Sequence, residues 1–136
     1  MRRASRTTDA QHEQDLEAIR HLIAGQSASV TQTHKREAYW SAFTADFLAD
    51  APLFPTTRPA QVRSMPDFLA GVQVLPKDGL GSFEQSLRGT KIMFFGNTAV
   101  AFGVCENLKD KATVQRGFET FPLVKEDRDW QIAAQA

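Results

Sequence analysis

The sequence predicts an α+β fold, in which helices from the first half of the chain cover one face of an antiparallel sheet from the second half. Two observations predict it. Apolar residues recur at helical spacing up to about residue 72, and from Ser82 onward they alternate with a period of two. Short polar turns separate the alternating stretches, so consecutive strands are expected to pair antiparallel.

The first two predicted helices are amphipathic. The first spans residues 9–31, and its apolar stripe runs through Leu16, Ile19 and Ile23 at i, i+3 and i+7. The second begins at His34. Its stripe has the same spacing and consists of Trp40, Phe43 and Phe47.

A third helix is predicted after a proline-containing stretch. Ser64 is its expected N-cap, and Asp67 lies in its first turn, where a carboxylate favours a helix start. Phe68 is expected to face inward. Pro76 and the glycines that follow are expected to end the helix.

Four strands are predicted in the second half of the chain. They cover residues 83–95, 98–108, 112–125 and 130–136, with turns at Gly96-Asn97, at residues 109–111 and at Asp127-Arg128.

The alternation leaves both faces of the predicted sheet apolar. On the second strand a row of small residues lies on one face and a bulky row on the other. The small row is Ala99, Ala101, Gly103 and Cys105, and the bulky row is Val100, Phe102 and Val104. An antiparallel sheet with one solvated face alternates apolar and polar residues instead. We therefore expect a homodimer through the face that the helices leave open. A strongly curved sheet with no outer contact is the alternative.

Length and composition set the class of protein. The chain has 136 residues, and a domain typically needs about 100–150, so one domain over residues 1–136 is expected, with residues 1–8 disordered. Sixteen Lys and Arg balance sixteen Asp and Glu, which argues against a nucleic-acid partner. The single cysteine excludes a disulfide within the chain. No stretch approaches the roughly 18 apolar residues of a membrane span. A cytoplasmic protein without a membrane partner is the expectation.

The end of the chain resembles a known structural motif. Val124-Lys125, an acidic turn and then Trp130-Gln131-Ile132 resemble the closing hairpin of the nuclear transport factor 2-like superfamily, and residues 37–47 resemble its second helix. That superfamily includes ketosteroid isomerases and polyketide cyclases of the SnoaL type. The resemblance implies a cone-shaped, cystatin-like roll of helices on a strongly curved sheet, with a deep pocket between them, and often a dimer.

The ketosteroid isomerase branch is a poor match at the level of residues. Those enzymes place a carboxylate directly before a proline after the second helix, and a tyrosine on the first helix. In the matching segment 49–52 the residue before the proline is Ala51, with Asp50 one position earlier. The single tyrosine, Tyr39, falls on the second helix, and the third strand offers Glu119. One role is unfilled and the others are displaced, which argues against this activity.

Glu119 is the first candidate for catalysis, as a general acid or base. It follows Phe118 in a predicted central strand, where burial among apolar side chains disfavours the charged carboxylate. An ion pair with Arg116 or Arg88 on a neighbouring strand is the alternative. Tyr39 is a second catalytic candidate, through a hydroxyl presented to the pocket.

The remaining candidates are assigned to ligand binding. They are Arg116, for an anionic group, and Trp40, Phe43, Phe118 and Gln135. No spacing typical of a metal site or a phosphate-binding loop occurs, so no metal and no cofactor are expected.

Three functions follow from these residues. The chain could bind a small hydrophobic molecule in a pocket without catalysis. It could be an isomerase, cyclase or dehydratase that uses Glu119 to move a proton on a hydrophobic carbonyl compound. It could also be a dimeric interaction module that works through its apolar sheet face.

Overall fold

A computed structural model describes residues 8–33, 37–55, 59–72 and 82–136 of the chain. The elements within these ranges are the helices α1 (Thr8–Val30), α2 (Trp40–Ala45) and α3 (Met65–Val72), and the strands β1 (Phe83–Phe95), β2 (Thr98–Lys109), β3 (Thr113–Glu126) and β4 (Asp129–Ile132). Helices precede strands, which confirms the predicted α+β fold. The expectation of disorder over residues 1–8 falls, apart from Thr8, outside the described residues.

The four strands form one antiparallel sheet in the order β1-β2-β3-β4. The sheet is curled and does not close into a barrel. Two of its hairpin turns lie where the sequence predicts them, at Gly96-Asn97 and Asp127-Arg128. Gly96 and Asp127 have φ angles of 61° and 53°, in the left-handed region that glycine and, less readily, aspartate tolerate.

Helix α2 is shorter than predicted. Residues 34–36, where its start was expected, lie outside the described residues, and the helix begins at Trp40. It stops at Ala45 because hydrogen bonds to β4 replace the helical ones. Leu48 N–H donates to Ile132 O at 2.8 Å, and Ile132 N–H donates to Asp46 O at 2.8 Å.

Helix α3 begins as predicted. The Asp67 N–H donates to Ser64 Oγ at 3.2 Å, which is the expected N-cap bond. Phe68 packs against the buried core. The predicted end of this helix, from Pro76 to Gly81, lies outside the described residues.

The inner face of the sheet, which carries the small row of β2, packs beneath α1. The buried residues there are Ala99, Ala101, Cys105, Phe121, Leu123, Trp130 and Ile132 on the strands, with Ile19 and Ile23 on the helix. A Cβ atom placed on Gly103 would lie 3.3 Å from Leu87 Cδ1 and 4.0 Å from Ile23 Cγ2. The small residues therefore permit close approach of the helix, and the bulky row of β2 lies on the outer face.

Strand β1 contains a β-bulge. The register shifts between Leu87, which pairs with Cys105, and Gly89, which pairs with Val104. Arg88 is thus the extra residue. Because of it, Gln85 and Leu87 share the inner face with Ile92 and Phe94 although their positions differ in parity.

The last strand is shorter than predicted. Regular pairing ends at Ile132, although a strand was expected up to residue 136. The tail nevertheless stays beside β3, since Thr120 and Ala136 exchange two backbone hydrogen bonds of 2.9 and 3.0 Å. Gln135 forms an isolated bridge with Leu53. These bonds fix the position of the Gln135 side chain.

Among the described residues, none of the helices combines the length and the apolar character that crossing a membrane requires.

Candidate functional site

A cavity of about 180 Å³, here called the main cavity, opens between the three helices and the end of the sheet where β1 begins. Its apolar wall is formed by Val30, Trp40, Phe43, Phe68, Val72 and Phe83. Its polar wall is formed by Gln26, Gln32, Ser82, Gln85, Glu119 and Gln135. Such a lining, mostly apolar with a few polar groups brought together, is typical of small-molecule sites.

A second space of about 140 Å³, here called the side cavity, lies between the 53–55 segment and the C-terminal tail. Phe68, Glu119 and Gln135 line both cavities. These residues therefore form the partition between the two spaces, with the carboxylate in it.

The Glu119 carboxylate is held by three donors from three different parts of the sheet. Gln85 Nε2 on β1 donates to Oε1 at 2.8 Å, and Cys105 Sγ on β2 lies 3.4 Å from the same oxygen. Gln135 Nε2 on the tail donates to Oε2 at 3.1 Å. Oε1 accepts two of these hydrogen bonds and Oε2 one, so Oε2 is the oxygen with more free capacity for a proton or a ligand.

Burial controls the acidity of this cluster. Loss of solvent raises the pKa of the Glu119 carboxyl above its ordinary value, although the hydrogen bonds from Cys105 and Gln85 oppose that rise. Burial, together with the neighbouring Glu119 charge, raises the pKa of the Cys105 thiol to about 12. Cys105 is therefore a neutral hydrogen-bond donor at this site and not a thiolate nucleophile.

Glu119 has no cationic partner among the described residues. The two arginines that could have paired with it bind Glu106 instead. Arg88 lies 3.2 Å and Arg116 lies 3.9 Å from the Glu106 carboxylate. Glu106 and Arg116 face each other across β2 and β3 on the outer side of the sheet, whereas Glu119 faces inward.

Gln26 connects α1 to α2 at the cavity wall. It is 2% exposed, and its Nε2 donates to Phe43 O at 3.0 Å and to Asp46 Oδ2 at 2.8 Å. Burial raises the pKa of the Asp46 carboxyl, while Gln26 and His21 act in the opposite direction. The Gln26 amide thus holds the short second helix in place beside the cavity.

The structure brings together four of the seven predicted site residues. Trp40, Phe43, Glu119 and Gln135 line the main cavity. Phe118 lines the side cavity, and it is 76% exposed because it lies on the outer face of β3.

Tyr39 and Arg116 line neither cavity. Tyr39 precedes α2 and is 62% exposed, and Arg116 lies on the outer face of the sheet. Asp50, the acid near the position that ketosteroid isomerases use, is exposed and has a φ of 62°. It does not line either cavity.

Sequence reasoning missed four residues of the polar wall, which are Gln26, Gln32, Ser82 and Gln85. The bulge at Arg88 hides the fact that Gln85 shares a face with Ile92, so simple alternation along β1 points it outward. Gln26 carried a usable signal, because it lies one turn after Ile23 and two turns after Ile19 and hence on the same helix face.

Within the described residues, no group of three or more His, Cys, Asp or Glu side chains is arranged to hold a metal ion.

Comparison by sequence finds no match, either to protein-family models or to curated proteins. Comparison with solved structures finds the same fold in several bacterial proteins. A LinA-type3 hexachlorocyclohexane dehydrochlorinase from Novosphingobium barchaimii LL02 is similar with a TM-score of 0.71 and 15% identity, over 94% of this chain and 88% of that one.

Two proteins of unknown function are also similar. One is an NTF2-like protein from Pseudomonas putida KT2440, with a TM-score of 0.66 and 16% identity, over 86% of this chain and 80% of that one. The other has a cystatin-like fold and comes from Nostoc punctiforme PCC 73102, with a TM-score of 0.65 and 14% identity, over 89% of this chain and 87% of that one. The fold is therefore nuclear transport factor 2-like and cystatin-like, as the closing hairpin predicted. At these identities the likeness concerns the fold alone.

Proposed function

We propose that this protein, whose fold is nuclear transport factor 2-like, binds a small and largely apolar molecule in the main cavity. One observation carries the proposal: a partly buried carboxylate, Glu119, lies at the polar end of a cavity whose other wall is aromatic and aliphatic. A cavity of about 150 Å³ with an apolar lining binds benzene. The 180 Å³ available here suits a molecule of one ring or slightly more.

The proposal is tested by filling the cavity. Val72 lines the main cavity, and a tryptophan there should occupy its space. Val62 is the control, because it is an exposed valine of the same part of the chain that does not line the cavity. We expect titration calorimetry with 4-ethylphenol to show binding to the wild type and to Val62→Trp, and at least tenfold weaker binding to Val72→Trp. Equal binding by the two variants would contradict binding in the main cavity.

A second candidate function is proton transfer by Glu119, in an isomerase, cyclase or dehydratase reaction without a cofactor. What favours it is a carboxyl with a raised pKa, no cationic partner among the described residues and one lightly bonded oxygen, Oε2. The similarly folded dehydrochlorinase supports the idea that this fold can host chemistry on a small ring compound. The mechanism is assigned to Glu119 without Tyr39 or Arg116, because neither of these lines the main cavity or the side cavity.

Proton transfer can be tested without the natural substrate. Exchange of the α-protons of 2-indanone in D₂O, followed by NMR, reports abstraction by any well-placed base. We expect the wild type to accelerate exchange over buffer. Glu119→Gln should lose about 10²–10⁴-fold, the usual contribution of a general base, and Glu106→Gln should stay within twofold. Undiminished exchange in Glu119→Gln would remove Glu119 as the base.

We also propose that a second copy of the chain covers the outer face of the sheet. Large apolar side chains are exposed there: Met93, Phe95, Phe102 and Phe118. Large exposed apolar side chains on one face of a sheet favour association. We expect sedimentation velocity to give a dimer for the wild type and for Tyr39→Glu, and a monomer for Phe102→Glu. A wild-type monomer at micromolar concentration would contradict this interface.

The cytoplasm is the proposed compartment, which is supported by the one cysteine, Cys105, being a free and buried thiol.

A further inference from the structure

The polar wall of the main cavity carries hydrogen-bond acceptors that have no donor. Gln26 Oε1 and Gln135 Oε1 are both buried without a partner in the described part of the chain, and both residues line the cavity. A buried acceptor without a donor costs free energy, and a ligand that supplies the donor recovers it. The unpaired oxygens therefore favour a ligand that donates hydrogen bonds.

The orientation of the Gln26 amide is forced. Both of its N–H groups are used, by Phe43 O at 3.0 Å and by Asp46 Oδ2 at 2.8 Å. Turning the amide over would place Oε1 against a carbonyl and a carboxyl oxygen, which repel it. Oε1 is thus the polar atom of this side chain that remains for a ligand.

The orientation of Gln135 follows from the same reasoning. Its Nε2 donates to Glu119 Oε2 at 3.1 Å, and the reversed amide would face an oxygen towards the carboxylate. The neighbouring amide of Gln85 is also committed, with Nε2 donating to Glu119 Oε1 and to Ser27 Oγ. Both N–H groups of Gln26 and of Gln85, and one of Gln135, are used within the protein, whereas the amide oxygens of Gln26 and Gln135 are left over.

The charge of the cavity lining also bears on the class of ligand. Glu119 is the only ionisable side chain that the described residues contribute to the lining. An anionic ligand would meet this carboxylate and the two unpaired amide oxygens with no lysine, arginine or histidine of those lining residues to offset them. An anion is therefore disfavoured.

The geometry points to a neutral ring compound that bears hydroxyl groups as the ligand of the main cavity. The ring would pack against Trp40 and Phe43, and hydroxyl groups would donate to Gln26 Oε1 and Gln135 Oε1. Both oxygens are shielded from solvent, so binding requires a small side-chain movement of the kind common on ligand binding. This inference rests on the proposed binding function and specifies its ligand class.

Four one-ring probes of similar size separate the possibilities by titration calorimetry. We expect 4-ethylresorcinol, which carries two hydroxyl donors, to bind most tightly. 4-Ethylphenol, which carries one hydroxyl donor, should bind next most tightly. The ether 4-ethylanisole should bind at least tenfold more weakly than 4-ethylphenol, since a site built around hydrogen bonds rejects an analogue that lacks the donor. The anion 4-ethylbenzoate should bind more weakly still.

Two variants assign the preference to the proposed oxygens. Gln26→Met and Gln135→Met should each reduce the ratio of 4-ethylphenol to 4-ethylanisole affinity to threefold or less. Gln131→Met, at a residue that lines neither cavity, should leave it unchanged. Gln135 lies on the half-exposed tail, so its variant serves even where Gln26→Met does not fold.

The outcomes distinguish this inference from the proposed function. If anisole or benzoate binds as well as the phenol and Val72→Trp still blocks binding, the preference for hydroxyl donors is wrong and the binding function stands. If no probe binds in a manner sensitive to Val72→Trp, the binding function fails and this inference fails with it.

Discussion

The two faces of the sheet surround a glutamate with different partners. Glu106, on the outer face of β2, is partly exposed and lies beside two arginines, Arg88 and Arg116. Glu119, on the inner face of the adjacent β3, is held by two amides and a thiol and has no cation beside it among the described residues. Exposed ion pairs such as those of Glu106 contribute little to stability.

The difference shows what distinguishes a candidate site from a surface contact. On the outer face the carboxylate charge is neutralised by two solvent-exposed arginines. On the inner face neutral donors are fixed around a carboxyl that has lost its solvent, so its protonation can respond to a ligand. The inner face thus places one carboxyl among neutral donors, and the outer face places another among cations.

The largest expected effect contrasts a phenylalanine on each face of β3. Phe121 is 1% exposed and Phe118 is 76% exposed. We expect Phe121→Ala to lower the free energy of unfolding by about 3–5 kcal/mol, because a large buried ring leaves a cavity. Phe118→Ala should change it by less than about 0.5 kcal/mol when measured on monomeric protein. Urea denaturation checks both, and similar losses in the two variants would contradict the assignment of faces.

An intermediate effect is expected where α1 is fixed to the inner face. Asp15 Oδ1 accepts hydrogen bonds from Lys125 Nζ at 2.9 Å and from Trp130 Nε1 at 3.0 Å. We expect Asp15→Ala to lower the free energy of unfolding by about 1–3 kcal/mol, because two partly buried donors lose their acceptor. Glu17→Ala, at an exposed position on the same helix, is the control. Equal stability of the two variants in urea would refute this role.

The same aspartate gives a pH dependence of known sign. Burial acts to raise the pKa of the Asp15 carboxyl, but the hydrogen bonds from Lys125, Trp130 and Gln11 outweigh it and the pKa is lowered. Its stabilising contribution is therefore present above the unfolded-state pKa and is lost as the pH falls through the folded-state value. The wild type should lose stability on acidification more steeply than Asp15→Asn.

The smallest expected effect concerns Glu119 and has the opposite sign. Its pKa is raised in the folded state, so its contribution to stability is fully present below the unfolded-state pKa and is lost as the pH rises through the folded-state value. Glu119→Gln should lack this decline, while Glu106→Gln should retain it. Melting temperatures recorded between pH 4 and pH 8 provide the measurement, and parallel curves for all three proteins would argue against a raised pKa at Glu119.

The sequence was sufficient for most of the fold because periodicity reports which face of an element is buried. The stripe of α1 predicted the buried residues Ile19 and Ile23, and the alternation of β2 predicted which residues share a face. Periodicity failed where hydrogen bonds from distant segments determine where an element ends. Helix α2 ends at Ala45 because β4 supplies bonds to the following residues, and the separation between these two segments in the chain leaves no local signal.

The candidate site was predicted only in part, for reasons that single residues illustrate. Arg116 and Glu119 differ in parity on one strand, so they lie on opposite faces, and alternation alone excludes a direct pair. Tyr39 was placed by assuming that the helix extends before Trp40. Gln26 and Gln85 are polar and uncharged, so neither apolar periodicity nor charge identifies them as site residues.

The bulge at Arg88 divides β1 into two halves, and the parity of the inward-facing residues differs between them. Upstream of it, odd-numbered residues reach the cavity, and downstream of it, even-numbered residues reach the core. A one-residue deletion at this point would merge the halves and turn Gln85 to the solvent side, whereas substitution of Arg88 keeps the count intact. In the evolution of this chain, length at that position is expected to be constrained more tightly than side-chain identity, so relatives should vary at the bulge residue without losing it.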